Sequence, residues 1–268
     1  MGSFEVLRIP LRQLMTIDGL DAVSPGHRTF GLVEFDVTEA LARIGAMQQE
    51  GRRVTLTAFV VACIGEALAA HPGLNCVRSG RSVYRFADVD VNLSVEVDTP
   101  KGRFPHQLTV RRAQDKDAEA VYAEIDQARR RYASGGAVSG EDRRLERTVR
   151  LLSRAPRLVR IGALRVAASS AIRVKSWSGT TFVTSLAKFG ETGGFILPFA
   201  SGPVAISFAL GGLSKSPVCI EGRHEQRDRL AVTVIVNHDL VDGAPAARFV
   251  QHLQQLVQTA EGLRSAQG

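Results

Sequence analysis

An apolar run over residues 230–236 ends abruptly on polar residues, and this transition constrains the fold more than any other feature of the sequence. Its length and its β-branched residues predict a buried strand. Asn237-His238-Asp239 follows directly, and Asp242-Gly243 then leads into a helix with apolar residues three and four positions apart. The sequence therefore predicts a strand that delivers a histidine to a turn just before a helix.

Two interpretations of this histidine remain open from spacing alone. A neutral imidazole can accept a proton from a thiol or hydroxyl near neutral pH, provided that a neighbouring group fixes its orientation, and Asp242 could supply that group directly or by holding the loop. Alternatively, His238 forms only local hydrogen bonds and Asp242 only caps the helix. Either role is compatible with a separation of four positions between His238 and Asp242.

The spacing of apolar residues changes repeatedly along the chain. Residues 56–68 keep helical spacing for three turns, residues 89–97 alternate between apolar and polar, and several strand-like runs between 179 and 236 precede a closing helix. A polar hairpin turn is expected at Arg223–Arg229. This order favours helices packed on a mixed sheet over a doubly wound fold. Neither a G-x-G-x-x-G fingerprint nor a P-loop is present, so we expect no nucleotide binding by those devices.

Composition narrows the class of protein further. The formal charge of +7 in 268 residues is compatible with nucleic acid, anionic lipid or a phosphorylated cofactor as a partner. The three cysteines show no metal-type spacing. The sequence shows no secretory signal and no apolar run long enough to span a membrane. These features lead us to expect a cytoplasmic protein.

Five ordered sequence blocks precede an H-x-x-x-D-G signature, which is His238–Gly243. The five blocks are L-R-I-P-L-R-Q-L (7–14), G-H-R-T-F-G-L-V-E-F-D-V-T-E (26–39), V-N-L-S-V-E-V-D-T-P-K-G (91–102), G-T-T-F-V-T-S-L-A-K-F-G (179–190) and A-I-S-F-A-L-G-G-L-S-K-S-P-V (205–218). Together they resemble the catalytic domain of the acyltransferase (E2) family of 2-oxo acid dehydrogenase complexes, which shares the signature with chloramphenicol acetyltransferase. Their order is collinear over nearly the whole chain.

The resemblance implies a mixed α/β (α+β), two-layer fold of the CoA-dependent acyltransferase type, with a largely antiparallel sheet. It also implies a homotrimer, extending to a larger assembly in some relatives, with active sites between subunits. His238 would be the general base, and Thr184 of a neighbouring subunit would stabilise the oxyanion. Asp242 would hold the histidine loop, and Ser185, Asn237 and Gly243 are secondary candidates. Coenzyme A or acyl-CoA is the expected substrate, with no metal.

Two departures from the family pattern affect the expected partners. The chain starts at the catalytic segment, so we expect a single domain over 1–268 without lipoyl or subunit-binding domains and without attached lipoate. The acyl group would then come from a small-molecule donor or from a separate lipoyl-carrying protein. Family members usually have an acid before the histidine and an arginine after it, whereas this chain has Asn237 and Asp239. This exchange bears on specificity and on the pKa of the histidine.

A third departure is an Arg-rich helical insert at about 141–178. Its first 33 residues, 141–173, contain nine arginines and three acids. One interpretation is a solvated helix pair that packs on the trimer through its apolar residues, which are Leu145, Val149, Leu152, Leu158 and Ile161. Others are a cover that meets the phosphates of CoA, or a basic amphipathic element at a membrane or nucleic acid. We expect neither nucleic acid nor membrane as the main partner.

The resulting hypothesis is an acyltransferase that moves an acyl group between CoA, or a lipoyl-type thiol, and an acceptor. Two alternatives remain. One is an O-acetyltransferase of the antibiotic-modifying type, which would use the same base and oxyanion donor. The other is a catalytically silent trimeric scaffold, or an assembly partner of a dehydrogenase complex.

Overall fold

Alternation of apolar side chains builds a six-stranded sheet, which forms the centre of the computed structural model. The structure describes residues 11–22, 26–99, 102–133, 147–148, 151–186, 193–199, 202–220 and 222–263. The strands of the sheet are β1 (Arg28–Asp36), β4 (Val91–Thr99), β5 (Gly102–Val110), β6 (Thr181–Ser185), β7 (Ile206–Ile220) and β8 (Arg223–Asn237). A separate hairpin pairs β2 (Cys76–Ser79) with β3 (Ser82–Arg85).

The strand order is β1-β8-β7-β6-β4-β5. The pairs β1–β8, β8–β7 and β4–β5 are antiparallel, whereas β6 runs parallel to both β7 and β4. The mixed, largely antiparallel sheet expected from the family resemblance is therefore confirmed. The short strand β6 carries Thr184. It lies between β4 and β7, and β7 is the first strand of the long hairpin that β8 completes.

Seven helices accompany the sheet in the described part of the chain, and only some of them cover it. The helices of the described residues are α1 (Leu11–Ala22), α2 (Thr38–Gln49), α3 (Leu56–Ala70), α4 (Ala118–Ala133), α5 (Arg157–Ala168), α6 (Ala171–Ser178) and α7 (Gly243–Thr259). None of them is long and apolar enough to cross a membrane.

The main core lies between one face of the sheet and helices α2, α3, α4 and α7. Phe59 of α3, Ile125 of α4 and Phe249 of α7 pack there against Phe208 of β7 and Val234 of β8. Helix α3 is apolar on nearly all sides and is buried along most of its length, as its sequence predicts. The opposite face of the sheet is the one on which Thr184 lies, because Val183 belongs to the core and neighbouring residues of a strand point to opposite faces.

β7 and β8 continue beyond the body of the sheet as a two-stranded ribbon. Pairing extends to Ile220 and Arg223, although β1 ends its pairing with β8 at Arg229. The polar residues Arg223–Arg229 were expected to form a turn, but they belong to β8, and the turn lies at the tip of the ribbon. They are polar because the ribbon is exposed or half-buried over this length, so the strand there has no apolar face to bury.

The insert is anchored to the sheet by a buried carboxylate. The Asp90 side chain is 3% exposed and lies 3.0 Å from both Arg111 Nη1 and Lys175 Nζ of α6. It also accepts the backbone N–H of Arg112 at 3.0 Å. Burial alone would raise the pKa of Asp90, but these hydrogen bonds, from Arg112, Lys175 and Arg111, lower it below its usual value. The cluster thus fixes α6 to the start of β4.

Asp90→Asn is expected to lower the free energy of unfolding by about 2 kcal/mol, because it leaves Arg111 and Lys175 without their common counter-charge. Urea denaturation would measure this change. Asp115→Asn is the matched control, because its partner Arg112 is largely exposed and such pairs contribute less than about 1 kcal/mol. Since the folded pKa is lowered, the contribution of Asp90 is present above the pKa of the unfolded carboxyl and is lost as the pH falls through the folded value. Equal effects of the two substitutions would contradict this account.

The apolar residues assigned to packing of the insert divide into three groups. Ile161 is buried in the chain and Leu152 is half-buried. Leu158 is 83% exposed in the single chain, so its expected packing on the trimer stays a prediction. Leu145 and Val149 lie outside the described residues. The buried side of α5 packs on α1, where Arg160 donates to Asp18 at 2.6 Å and Arg157 donates to Asp21 at 2.6 Å.

Candidate active site

The turn that carries His238 is built by the backbone and side chain of Asn237. Asn237 is 2% exposed, and its carbonyl accepts the N–H groups of Leu240 and Val241 at 3.0 and 3.1 Å. Its side-chain oxygen accepts the N–H of Asp239 at 3.2 Å. An asparagine side chain that closes its own turn in this way replaces backbone pairing where the strand ends. Asn237 is therefore a structural element of the turn, and its side chain is not available to a substrate.

His238 lies on the outside of this turn. Its backbone N–H donates to the carbonyl of His27 at 2.8 Å, which continues the pairing of β8 with the start of β1. The residue is exposed, and its imidazole has no hydrogen-bond partner among the residues that the structure describes. An exposed imidazole on a hydrogen-bonded turn can exchange a proton with a ligand that approaches from outside the chain.

Asp242 and Gly243 lie where the sequence predicts, at the start of α7. Asp242 occupies the N-cap position with extended backbone, but its carboxylate accepts no capping hydrogen bond and shows no contact with His238 in the described part of the chain. Its charge still suits the positive end of the helix dipole. Gly243 is exposed, and a Cβ added there would meet no atom within 4 Å, so this chain by itself does not require a glycine at that position.

The carboxylate that does hold the turn is Asp239, which the sequence did not single out as a site residue. Its two oxygens lie 2.7 Å from His27 Nδ1 and 2.8 Å from Arg78 Nη1 of β2. The hydrogen bond from His27, with the charges of Arg78 and Arg28, lowers the pKa of Asp239. Gly26, at a φ of +61°, brings the chain so close that an added Cβ would lie 3.4 Å from Asp239 Oδ2. The only sign of this cluster in the sequence is the charged residue that follows His238, which is Asp239 itself.

Thr184 and Ser185 are neighbours on β6 but serve opposite faces of the sheet. Thr184 pairs with Ser94 of β4 and Ala209 of β7 on the face away from the core helices. Ser185 lies on the helix side, where its hydroxyl is 3.2 Å from that of Thr57. Both are half-buried. A one-residue error in register would therefore move the candidate hydroxyl to the other side of the sheet.

The face of Thr184 contains further polar groups. Thr233 pairs with Ala209, as Thr184 does, so the two threonines lie at the same level two strands apart. Thr233 Oγ1 is buried and has no hydrogen-bond partner within the described ranges. The same holds for Oδ1 of Asn92, which lies two residues before Ser94 on β4. Buried polar atoms without partners are rare in native proteins. This face is therefore chemically unlike an ordinary apolar sheet surface.

His238 and Thr184 do not meet within one chain. Asn237, next to His238, donates its N–H to the carbonyl of Ala205, whereas Thr184 pairs with Ala209. Along the strand direction, His238 and Thr184 are therefore offset by about four residues. This offset corresponds to about 13 Å along the strands and about 10 Å across them. A base and an oxyanion donor must both lie within about 3 Å of the reacting group. One chain alone therefore cannot bring these two side chains to a common substrate without a large rearrangement.

A cavity of about 620 Å³ lies on the helix side of β6, beside Ser185. Its wall combines apolar, polar and charged residues, among them Leu93, Thr57, Glu96, Arg129 and Arg130. Its size and mixed lining suit an acyl chain or an acyl group that carries an anionic end. No group of three or more potential metal ligands is assembled anywhere in the described ranges.

Known proteins resemble part of the sequence and share the fold. Residues 163–264 match the family model of the 2-oxoacid dehydrogenases acyltransferase (catalytic domain). This part of the chain is similar to the E2 acyltransferases. The resemblance and the fold class expected from the sequence are thereby confirmed. The E2-like match covers the strand that carries Thr184 and the turn that carries His238.

One curated relative is the dihydrolipoyllysine-residue acetyltransferase component of the pyruvate dehydrogenase complex of Corynebacterium glutamicum. It is 23% identical over 265 residues, which are 93% of this chain and 33% of the relative. The E2-like chain thus spans about a third of the length of this relative.

Solved structures show the same fold at low identity. A probable dihydrolipoamide acetyltransferase from Listeria monocytogenes has a TM-score of 0.71 and 17% identity, with 100% of this chain and 98% of that one covered. A truncated catalytic core of the 2-oxoacid dehydrogenase multienzyme complex from Thermoplasma acidophilum has a TM-score of 0.67 and 18% identity, with 96% and 100% covered.

A third structure, with a TM-score of 0.68 and 18% identity over 97% of this chain and 94% of that one, is the Azotobacter vinelandii dihydrolipoamide acetyltransferase. There the roles of a serine, a histidine and an asparagine in the catalytic mechanism were investigated.

Proposed function

We propose that this E2-like chain transfers an acyl group between coenzyme A, or a lipoyl-type thiol, and an acceptor thiol. The observation that carries the proposal is the turn of His238: an exposed imidazole lies on a turn that Asn237 and Asp239 hold at the end of a buried strand, inside the segment that matches the catalytic-domain model. A strand end fixed by several hydrogen bonds positions a side chain more closely than a flexible loop does.

In the proposed reaction, His238 accepts the proton of the acceptor thiol. The resulting thiolate attacks the carbonyl carbon of the acyl thioester and forms a tetrahedral intermediate. The hydroxyl of Thr184 donates a hydrogen bond to the oxyanion, and the intermediate then expels the thiolate of coenzyme A. That thiolate takes the proton from the imidazolium, so the base is restored and one thioester replaces another.

The offset between His238 and Thr184 supports a site shared by two copies of the chain. We propose a homotrimer in which the His238 turn of one copy meets the outer sheet face of its neighbour, with Thr184 as the donor. The half-buried side chain of Thr184 on that face can then meet a neighbour or a ligand. Gly243, next to the turn, leaves room for either.

Two carboxylates have distinct roles in this proposal. Asp239 holds the histidine turn through Arg78 and His27, and Asp242 stabilises the start of α7. The acyl donor and acceptor are small molecules, or a lipoyl group carried by another protein, and the reaction uses no metal. We place the enzyme in the cytoplasm.

The function is tested by thiol release from acetyl-CoA and longer acyl-CoAs, with dihydrolipoamide as the acceptor. A rate that depends on both substrates and on the protein supports acyl transfer. Binding of acyl-CoA without turnover would instead favour the trimeric scaffold. That alternative draws on one observation, the lack of a hydrogen-bond partner for the His238 imidazole among the described residues. Turnover only with a hydroxyl acceptor would favour an O-acetyltransferase.

Asp239→Asn is expected to lower kcat about tenfold, because the neutral amide no longer pairs with Arg78 and His27 and the turn loses its fixed geometry. KM for acyl-CoA should change little. Asp242→Asn, a matched loss of a carboxylate in the same turn, should have the smaller effect. A charge exchange, Asp239→Arg with Arg78→Asp, should recover part of kcat, which a general loss of stability would not allow. A larger effect at Asp242, without recovery by the exchange, would assign the holding role to Asp242.

A further inference from the structure

Helix α5 of the insert exposes an apolar face. Ile161 is buried on its inner side, where Arg160 pairs with Asp18. We call the other side the outer face of α5; its residues, Leu158, Val159, Gly162, Ala163 and Val166, are all exposed. At 100° per residue they fall within an arc of about 140°. Leu158 is 83% exposed and Val166 is 61% exposed. A helix that is apolar on both sides is normally covered on both.

The segment that carries this face is rich in positive charge. No aspartate or glutamate occurs between Glu146 and Glu191, a segment with nine lysines and arginines. Arg154, Arg165 and Arg173 are exposed and form no ion pair with described residues. Helix α6 adds Ile172, which is 67% exposed, and Trp177, which is 41% exposed. Basic, apolar and indole side chains in one exposed segment are typical of a helix that lies in a membrane interface.

We propose that the outer face of α5 docks on an anionic lipid surface. A second copy of this chain is the less suitable partner, because each copy carries a charge of +7 and a two-fold contact would also bring the same arginines together. The face is also convex, since it is the surface of a single helix. A bilayer can close around a convex apolar face, and its acidic headgroups can pair with the surrounding arginines.

Such docking would be peripheral. None of the described helices can cross a membrane, and the inner side of α5 is bound to α1 through Arg157 and Arg160. The insert also reaches the candidate active site: Ser79 of β2 donates to the carbonyl of Ser169 at 2.6 Å, and its neighbour Arg78 pairs with Asp239. Docking would therefore bring the His238 turn close to the lipid surface without inserting it.

The test is flotation of the full chain with vesicles of phosphatidylcholine that contain phosphatidylglycerol, and with vesicles of phosphatidylcholine alone. We expect binding to the anionic vesicles only, and weaker binding as salt is raised. Leu158→Glu with Val166→Glu should lower the partition coefficient on the order of 100-fold, because two apolar contacts are lost. Arg154→Glu, Arg165→Glu and Arg173→Glu together should lower it at least about 100-fold.

Controls are substitutions of the same type outside the insert. Leu32→Glu changes an aliphatic residue of β1 that is 51% exposed, and Arg223→Glu changes an exposed arginine at the ribbon tip; both should bind as the unchanged chain does. Circular dichroism checks that each variant is folded. Lack of binding to anionic vesicles, or equal binding by the α5 variants, would overturn the proposal. Smaller assemblies of the Leu158 and Val166 variant by light scattering, without vesicle binding, would identify the face as a contact between copies.

Discussion

His238→Ala is expected to slow acyl transfer from acyl-CoA to dihydrolipoamide by about 10²–10⁴-fold, because the acceptor thiol loses the group that removes its proton. The binding of acyl-CoA should be retained, since the imidazole acts on the acceptor and not on the donor. Steady-state rates at saturating donor, together with acyl-CoA binding by calorimetry, would separate the two effects. Higher pH should restore part of the rate in the variant, because more of the acceptor is then already a thiolate.

His224→Ala is the matched control for this prediction. His224 is exposed and lies on the same strand, near the tip of the ribbon and far along β8 from the turn. It should leave the rate unchanged. If His238→Ala retained the full rate while acyl transfer was clearly measurable, His238 would not be the base, and the proton acceptor would have to be sought among the residues around the cavity beside Ser185.

Thr184→Ala is expected to lower kcat by about 10²–10³-fold, because one preorganised hydrogen-bond donor to the oxyanion is lost. KM should change little, since that charge develops only in the transition state. Ser185→Ala removes the neighbouring hydroxyl, which faces the other side of the sheet, and should retain most of the activity. The reverse result would assign the donor role to Ser185 and place the reacting group on the helix side.

Mixing the two inactive variants tests the shared site directly. If His238 of one copy works with Thr184 of its neighbour, mixed trimers of His238→Ala and Thr184→Ala subunits contain some sites in which both residues are intact. For random assembly this holds for about one site in four. We therefore expect activity to return after the variants are unfolded and refolded together, but not when each is refolded alone. No recovery in verified mixed trimers would require both residues of a site to come from one chain.

Local patterns in the sequence were sufficient for the elements that build the site. The apolar run before Asn237 forms the buried end of β8, and residues 56–68, which have helical spacing, lie in α3. Both elements are buried, so the pattern of apolar residues was enough to predict them. The same logic failed at Arg223–Arg229. Polar residues there suggested a turn, yet cross-strand hydrogen bonds continue where neither face is buried, and a pattern of burial cannot report them.

Long-range register accounts for what the sequence could not provide. The distance between His238 and Thr184 depends on which residue of β7 each lies beside, and no local pattern encodes that pairing. The pairs of Asp239 with His27 and Arg78 join residues 212 and 161 positions apart. Leu158 shows a different limit of local patterns. The spacing of the apolar residues around it correctly indicated a helix, but it did not indicate which side of that helix faces the rest of the chain.

The ribbon of β7 and β8 has a consequence for solubility. Beyond Arg229 on one side and Leu210 on the other, neither strand has a further sheet partner among the described residues. Gly212 still donates its backbone N–H to Gly194 at 3.0 Å, and the rest of the ribbon presents two open edges. Open edges invite other chains to add as strands. Here Lys215, Pro217 and a succession of charged residues from Arg223 to Arg229 occupy the ribbon, and proline and charge are the usual protection against such pairing. The protein can thus extend an exposed β-arm into solvent while its own composition guards against aggregation.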